Sequence, residues 1–221
     1  MSFPLLTIIA PAALFCFFYM KTTNRKATLN TEAFFERERE ANSVRKQPLT
    51  DIEFIELDMS KIPVVQTDNE IINSAYKGLD ALSTQKIANL SGYSNTDLKF
   101  KYGVANLPLL TEYDQNYTVL CRTLFDLGRE LNAMNDIDSA VMVLEYGIEC
   151  NTDLKSHYML LANIYESRGQ YDKIESLISS AEKMNSLLKN SLIKDLKEKL
   201  IPRDDEITKI LEDISTHDSN S

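Results

Sequence analysis

The sequence predicts an all-α protein, and three observations carry that prediction. Apolar residues follow a helical period from residue 68 onward. The second half of the chain resembles itself at an offset of 34 residues. An 18-residue stretch near the N-terminus, residues 3–20, has no charged side chain. We therefore expect helix–turn–helix repeats with flanking helices, behind an N-terminal transmembrane helix.

Composition and net charge disfavour several classes of function. The 221 residues are enough for one ordinary domain with appendages, and 43% hydrophobic with 26% charged residues is typical of a globular protein. Neither a Gly-x-Gly-x-x-Gly nor a Gly-Lys-Ser/Thr motif is present. The net charge of -9 disfavours nucleic acid as a partner, because duplex affinity depends on phosphate neutralisation. A binding or scaffolding protein without a cofactor is the expected class.

Residues 3–20 predict a membrane anchor. As a helix rising about 1.5 Å per residue, this stretch just reaches across a thin bilayer. The alternative is a cleaved signal peptide, but only Met1 and Ser2 precede the apolar run, so the basic n-region of a signal peptide is missing. Pro11 would kink the middle of the span. We expect the anchor to remain uncleaved.

The flanking charges predict the orientation of the anchor. All nearby Lys and Arg residues follow the span, so the C-terminal body is expected to be cytoplasmic in a single-pass arrangement. Residues 21–46 carry a net charge of +3, and the rest of the chain carries -12. An inverted anchor with a translocated domain is the alternative.

Residues 21–68 predict a charged stalk. Residues 32–40, EAFFERERE, are too polar to build a core, and a short, exposed and mobile helix is the most we expect there. Ile52 and Phe54 have strand-like spacing, and Pro63 ends any helix. Residues 51–65 should therefore form an extended segment lying against the following domain.

The predicted helical domain spans residues 69–201. Its first helix should follow an Asp68 cap and bury one face, formed by Ile71, Ala75, Leu79 and Leu82. Residues 86–103 predict a polar, aromatic loop, with Thr96 and Asp97 capping a short helix from Leu98 to Tyr102. A structural connector is the preferred interpretation of this loop. The alternative is a ligand-contacting loop that uses Tyr93, Lys99 and Tyr102.

Two repeat units are predicted, at residues 121–154 and 155–188. Seven positions of the first unit recur in the second as large or small apolar residues, and each unit has a turn signal, at Asn135 and Gly169. The matched pairs are Leu124 with Tyr158, Leu127 with Leu161, Gly128 with Ala162, Leu131 with Tyr165, Ala140 with Ile174, Leu144 with Ile178, and Gly147 with Ala181.

This pattern resembles the tetratricopeptide repeat family, a fold of stacked helix pairs. The chain departs from the family where Thr152 and Ser186 replace the closing Pro and where Ile174 replaces a small Ala. Two repeats rarely bury enough surface alone, so flanking helices should complete the stack. One follows the units, with a stripe of Leu188, Leu192, Leu196 and Leu200, and we also expect a short helix over 204–215 before a frayed acidic tail ending at 221.

The resemblance implies a protein or peptide partner bound on first-helix positions that do not pack. Arg122 and Arg129 lie seven residues apart on one helix face, so they are suited to an acidic ligand. Pairing of these arginines with Asp126 or Glu130 is the alternative. The family's Lys and Asn carboxylate clamp is not reproduced. Carried over by position, the implied residues are Arg122, Phe125, Arg129, Asn132, Met159, Asn163 and Glu166.

Catalytic and metal sites have little support in the sequence. Only two histidines are present, and we expect His157 on a helix surface rather than in a triad. Cys121 and Cys150 lack Cys-x-x-Cys spacing and are expected to be buried free thiols, so no metal is predicted. A membrane-anchored adaptor is the predicted function. The alternative is an enzyme subunit that uses residues 86–103.

Overall fold

The computed structural model describes residues 31–201. Most of these residues are in helices, so the predicted all-α class is confirmed. Within this range there are eight α-helices and no β-strand. The helices are α1 (31–43), α2 (Glu70–Ser83), α3 (Asn95–Tyr102), α4 (Leu107–Ala133), α5 (Ile137–Glu149), α6 (Lys155–Ser167), α7 (Tyr171–Ala181) and α8 (Lys189–Glu198).

Membrane insertion was predicted for a part of the chain that lies outside the described residues. Among residues 31–201, no helix is both long and apolar enough to cross a bilayer. The predicted anchor at 3–20, and the predicted helix and tail over 204–221, fall outside this range.

The described chain divides into two compact units. The first consists of residues 31–50 and 93–108, and the second of residues 51–92 and 109–201. In the first unit, polar contacts join α1 to α3. The Lys99 Nζ lies 2.7 Å from a Glu38 carboxylate oxygen, and Arg37 pairs with Asp97 at 2.7 Å. Residues 31–43 are mostly exposed, and α1 is held to α3 largely by charge.

Two helix starts differ from the predicted caps because another side chain reaches the free N–H groups. Asn69, not Asp68, caps α2 by accepting from the Ile71 and Ile72 N–H groups. On the buried face of α2, Ile72 joins the predicted Ala75, Leu79 and Leu82, whereas Ile71, predicted to be buried, is 49% exposed. In the first unit, Ser94 caps α3 through a reciprocal capping box with Asp97.

In the second unit, residues before α2 run along the loop that follows it. The Ile55 N–H donates to the Ile87 carbonyl at 2.8 Å, and Phe54 forms an isolated antiparallel bridge with Ala88. This contact places residues 53–55 beside residues 87–91, which matters for the cavity described below.

The repeat positions predicted from the sequence lie in the core of the second unit. All fourteen residues of the seven matched pairs are buried. Helix α5 packs against α6, α6 against α7, and α7 against α8. In the predicted leucine stripe, Leu192 and Leu196 are buried, whereas Leu188 precedes the first residue of α8 and is 53% exposed. Of the four leucines in the stripe, two are therefore core residues, and Leu200 is partly buried against the same cluster.

Candidate functional site

The seven residues implied by the resemblance lie on α4 and α6, and we call them the α4/α6 face. None of them is fully buried. Arg122, Arg129 and Asn163 are exposed, while the other four are half-buried: Phe125, Asn132, Met159 and Glu166. The predicted positions are therefore at least partly accessible in the second unit.

The apolar members of this face share one support. Phe125 from α4 and Met159 from α6 both pack against the same apolar cluster, which includes Leu161 and Tyr165. The Phe125 ring centroid is 6.1 Å from that of His157 on α6. Each of the two helices thus contributes one half-buried apolar side chain that packs against this cluster.

The two arginines of the face differ in their surroundings. Arg129 pairs with Asp126 at 2.9 Å and with Glu130 at 3.1 Å, and its guanidinium lies 5.7 Å from the Phe125 ring centroid. Within residues 31–201, Arg122 has neither an ion pair nor a hydrogen bond from its side chain. The structure thus pairs Arg129 with Asp126 and Glu130, which the sequence analysis gave as an alternative. Of the two arginines, only Arg122 has no carboxylate partner within residues 31–201.

Glu166, at the other end of the face, is also paired. Its carboxylate lies 2.7 Å from the Lys199 Nζ, just beyond α8. The face therefore combines two half-buried apolar side chains with two compensated charges and one arginine that is available to a ligand.

His157 is a correction to the sequence analysis, which expected it on the surface of a helix. Its side chain is fully buried, and Nε2 donates to the Leu144 carbonyl oxygen at 2.9 Å. Burial lowers the pKa of His157 to about 4, and its Nδ1 has no partner. A methyl group at Gly147 would overlap this ring, so the glycine provides the space for the histidine. The burial follows from tertiary contacts, with Gly147 and Leu144 of α5 and Phe125 of α4 lying beside the ring.

The two cysteines of the described chain are buried free thiols, as predicted. Burial raises the pKa of Cys121 and of Cys150 to about 11 in each case. Both thiols are therefore protonated at neutral pH and are poor nucleophiles. Among residues 31–201, no group of three His, Cys, Asp or Glu side chains is arranged to hold a metal ion.

A cavity of about 460 Å³ lies within the second unit. We call it the loop cavity, because four irregular segments supply most of its wall: residues 53–55, 89–91, 151–153 and 183–185. Its polar groups include Asn89, Asn151, Asp153, Tyr158, Lys183 and Asn185.

Hydrogen bonds between these segments fix the wall. Asn89 Nδ2 donates to the Tyr117 hydroxyl at 3.0 Å, and that hydroxyl donates to the Asn151 carbonyl. Asn89 Oδ1 accepts from the Ser91 N–H at 2.9 Å, and the Ser91 hydroxyl lies 3.4 Å from an Asp153 carboxylate oxygen. The loop after α2 is thereby tied to the turn between α5 and α6.

The candidate ligand residues of the predicted 86–103 loop are not those that line this cavity. Tyr93, Lys99 and Tyr102 belong to the first unit, where Lys99 pairs with Glu38 and Tyr102 is 3% exposed. Asn89 and Ser91, from the same predicted loop, do line the cavity. Sequence reasoning missed them because the other walls come from distant segments.

Comparison with known proteins identifies no relative of this chain. No protein-family model matches the chain, and no curated protein or solved structure shows a significant match. The resemblance to tetratricopeptide repeats therefore depends on this chain's own residues.

Proposed function

We propose that this protein is a membrane-anchored adaptor with a tetratricopeptide-like helical domain. The domain binds a protein or peptide partner near the bilayer through the α4/α6 face, and residues 3–20 anchor it. The observation that supports this best is the division between two sets of first-helix positions. Those that match the repeat pattern are buried, whereas the positions between them, such as Arg122 and Asn163, remain accessible.

The surroundings of the face suggest which partner it suits. Phe125 and Met159 offer apolar area that is already held in place by the core, so binding orders little side-chain freedom. Arg122 has no carboxylate partner within residues 31–201, and a guanidinium binds carboxylates with two hydrogen bonds. The preferred partner is therefore a segment with an apolar anchor and one acidic residue near Arg122, rather than an acidic stretch held by two arginines.

Site-specific photo-crosslinking in cells tests the face. A photoreactive amino acid at Asn163, which is exposed on α6, should give a discrete crosslinked product. The same group at Ser179, exposed on α7 outside the face, should not. Arg122→Gln should reduce the product about tenfold, because losing a hydrogen bond to a charged group costs about 1.5 to 3 kcal/mol.

Arg129→Gln is the matched control for that substitution. Since Asp126 and Glu130 already compensate Arg129, its loss should reduce crosslinking less than the loss of Arg122. Equal crosslinking from Asn163 and Ser179, or an unchanged product in Arg122→Gln, would remove the α4/α6 face from the proposal.

The proposed cytoplasmic placement has its own test. A cysteine introduced at Ser219 should resist a membrane-impermeant thiol reagent in intact cells and react after lysis. Cys121 and Cys150 are buried, so the parent chain needs only Cys16, in the predicted anchor, replaced by Ser as the background for this test. Labelling of the new cysteine in intact cells would instead favour the translocated orientation.

A further inference from the structure

One tyrosine in the wall of the loop cavity is almost fully buried, but its hydroxyl remains accessible at the cavity surface. The Tyr158 side chain is 1% exposed and lines the cavity, yet its hydroxyl makes no hydrogen bond within residues 31–201. Two other buried tyrosines behave differently: Tyr117 donates to the Asn151 carbonyl, and Tyr165 donates to Glu145. A hydroxyl that lines a cavity and has no protein partner there is available to hydrogen-bond a ligand.

Charged groups of both signs line the same cavity as this hydroxyl. Asp153 receives only a 3.4 Å contact from Ser91, so most of its hydrogen-bonding capacity is unused. Glu53 and Lys183 also line the cavity, and neither forms an ion pair within residues 31–201. The lining thus offers two carboxylates and one ammonium group, with a net charge of -1.

The remaining wall combines amide groups with apolar side chains. The side-chain amides of Asn151 and Asn185 can donate or accept hydrogen bonds, while Phe54, Ile55 and Met184 supply apolar area. The volume of about 460 Å³ is in the range of small-molecule sites. A ligand that fits this lining carries a carboxylate, two cationic groups and a short apolar stem.

We propose that the loop cavity binds a basic amino acid. Lys183 pairs with the carboxylate of the ligand, and Asp153 and Glu53 receive its two cationic groups. The Tyr158 hydroxyl completes the site as a hydrogen-bonding partner beside Asp153. The proposal goes beyond the adaptor function, because it gives the same helical unit a small-molecule site that is built from other residues.

Isothermal titration of the purified full-length chain with three probes tests the chemistry. L-Arginine should bind with one site per chain. Agmatine, which keeps the guanidinium but has no carboxylate, should bind about tenfold more weakly, since it loses a charge-assisted contact. L-Glutamate should not bind. Absence of L-arginine binding at millimolar concentration, or tighter binding of glutamate, would overturn the proposal.

Charge variants assign the contacts. Asp153→Asn should weaken L-arginine binding about tenfold or more. Lys183→Gln should weaken L-arginine binding by a similar factor and leave agmatine binding unchanged, because agmatine has no carboxylate to lose. Lys173→Gln, on α7 and outside the cavity, is the control and should change neither. Equal loss of both probes in Lys183→Gln would contradict the assigned pairing.

Tyr158→Phe separates binding from folding. Since the hydroxyl has no protein partner, its removal should leave the melting temperature unchanged while weakening L-arginine binding severalfold. Tyr165→Phe is the matched control: it loses the bond to Glu145, so it should melt lower and bind L-arginine normally. Unchanged arginine affinity in Tyr158→Phe would overturn the site. These titrations contain no protein partner, so their outcome is independent of the crosslinking test.

Discussion

The two helix–turn–helix pairs of the second unit, α4–α5 and α6–α7, share one turn geometry. Asn135 and Gly169, 34 residues apart, have φ angles of 64° and 65°. The next N–H in each turn reaches back to the same position: Asp136 N to Leu131 O at 3.0 Å, and Gln170 N to Tyr165 O at 2.9 Å. Different residues thus close the two first helices in the same way, because Asn and Gly both tolerate a left-handed conformation.

The pairs differ where their second helices end. After α5 the chain turns through Asn151, at a φ of 57°, and the Thr152 N–H donates to the Gly147 carbonyl at 3.2 Å. At the corresponding place after α7, Asn185 has no positive φ. Both places nevertheless contribute to the wall of the loop cavity, with Asn151 and Asp153 after α5 and Lys183 and Asn185 after α7. The comparison teaches that matched positions build the core, and that the positions where the match ends are available for another role.

Their interiors differ at the contact between Gly147 and His157. The first pair has Gly147 where the second has Ala181, and the missing methyl group accommodates the ring of His157. His157 itself corresponds to Thr123 in the first pair. A core that is similar at seven positions thus contains one contact that occurs only between α5 and α6.

The largest expected effect tests whether the two pairs are equivalent in the core. Leu161→Ala should lower the free energy of unfolding by about 2 to 5 kcal/mol, and Leu127→Ala by a similar amount, because both side chains are fully buried. Urea unfolding of the full-length chain, followed by circular dichroism, measures both. Leu187→Ala, at a fully exposed position, should have no effect. An unchanged midpoint for Leu161→Ala would contradict the predicted register.

The second effect is specific to the α5–α6 contact and depends on pH. Burial lowers the pKa of His157 from its usual 6.5 to about 4, so between these values the unfolded chain binds a proton that the folded chain does not. Stability should therefore fall as the pH drops from 6.5 to 4, by roughly 3 kcal/mol in total.

The matching variant removes the titrating group. In His157→Leu, the part of the acid sensitivity that lies between pH 6.5 and 4 should disappear, whatever the stability of the variant at neutral pH. Denaturant midpoints measured across this pH window provide the comparison. An identical pH slope in both proteins would show that the histidine does not carry the effect.

The third prediction concerns a substitution that gives the first pair the residue that the second pair has at the matched position. In Gly147→Ala, the new methyl would lie 2.1 Å from His157 Cε1, and such overpacking typically costs about 1 to 3 kcal/mol. This exceeds the gain in helix propensity, about 1 kcal/mol at most. Gly78→Ala is the control in α2, where the nearest atom would be 3.9 Å away, so it should be neutral or slightly stabilising. Equal stability changes in the two variants would refute the steric argument.

The smallest effect exchanges the turn residues. Gly169→Ala should cost about 1 kcal/mol, since a side chain is strained at a φ of 65° although nothing lies within 4 Å of the added carbon. Gly169→Asn should cost less, because Asn135 adopts the same conformation in the first pair. Thermal melts of the two variants measure the difference. A larger loss for Asn than for Ala would mean that the turns are not interchangeable.

The sequence by itself determined the helical class, the buried repeat positions and the two first-helix turns. Each of these depends on residues within one or two helical turns of each other, so periodicity and turn chemistry are sufficient. The end of a buried face is harder to predict: on α2, Ala75, Leu79 and Leu82 are buried as predicted, but Ile72 and not Ile71 completes the face.

Only the tertiary structure decided which distant groups meet. It buried His157 against Leu144, and it brought Glu38 to Lys99 within the first unit. In the second unit it gathered Asn89, Asp153 and Lys183 around one cavity. No local pattern marks such groups, because burial and pairing depend on the segments that pack beside them. The core of this protein can therefore be predicted from its sequence, whereas the residues of its proposed small-molecule site are brought together only by the tertiary structure.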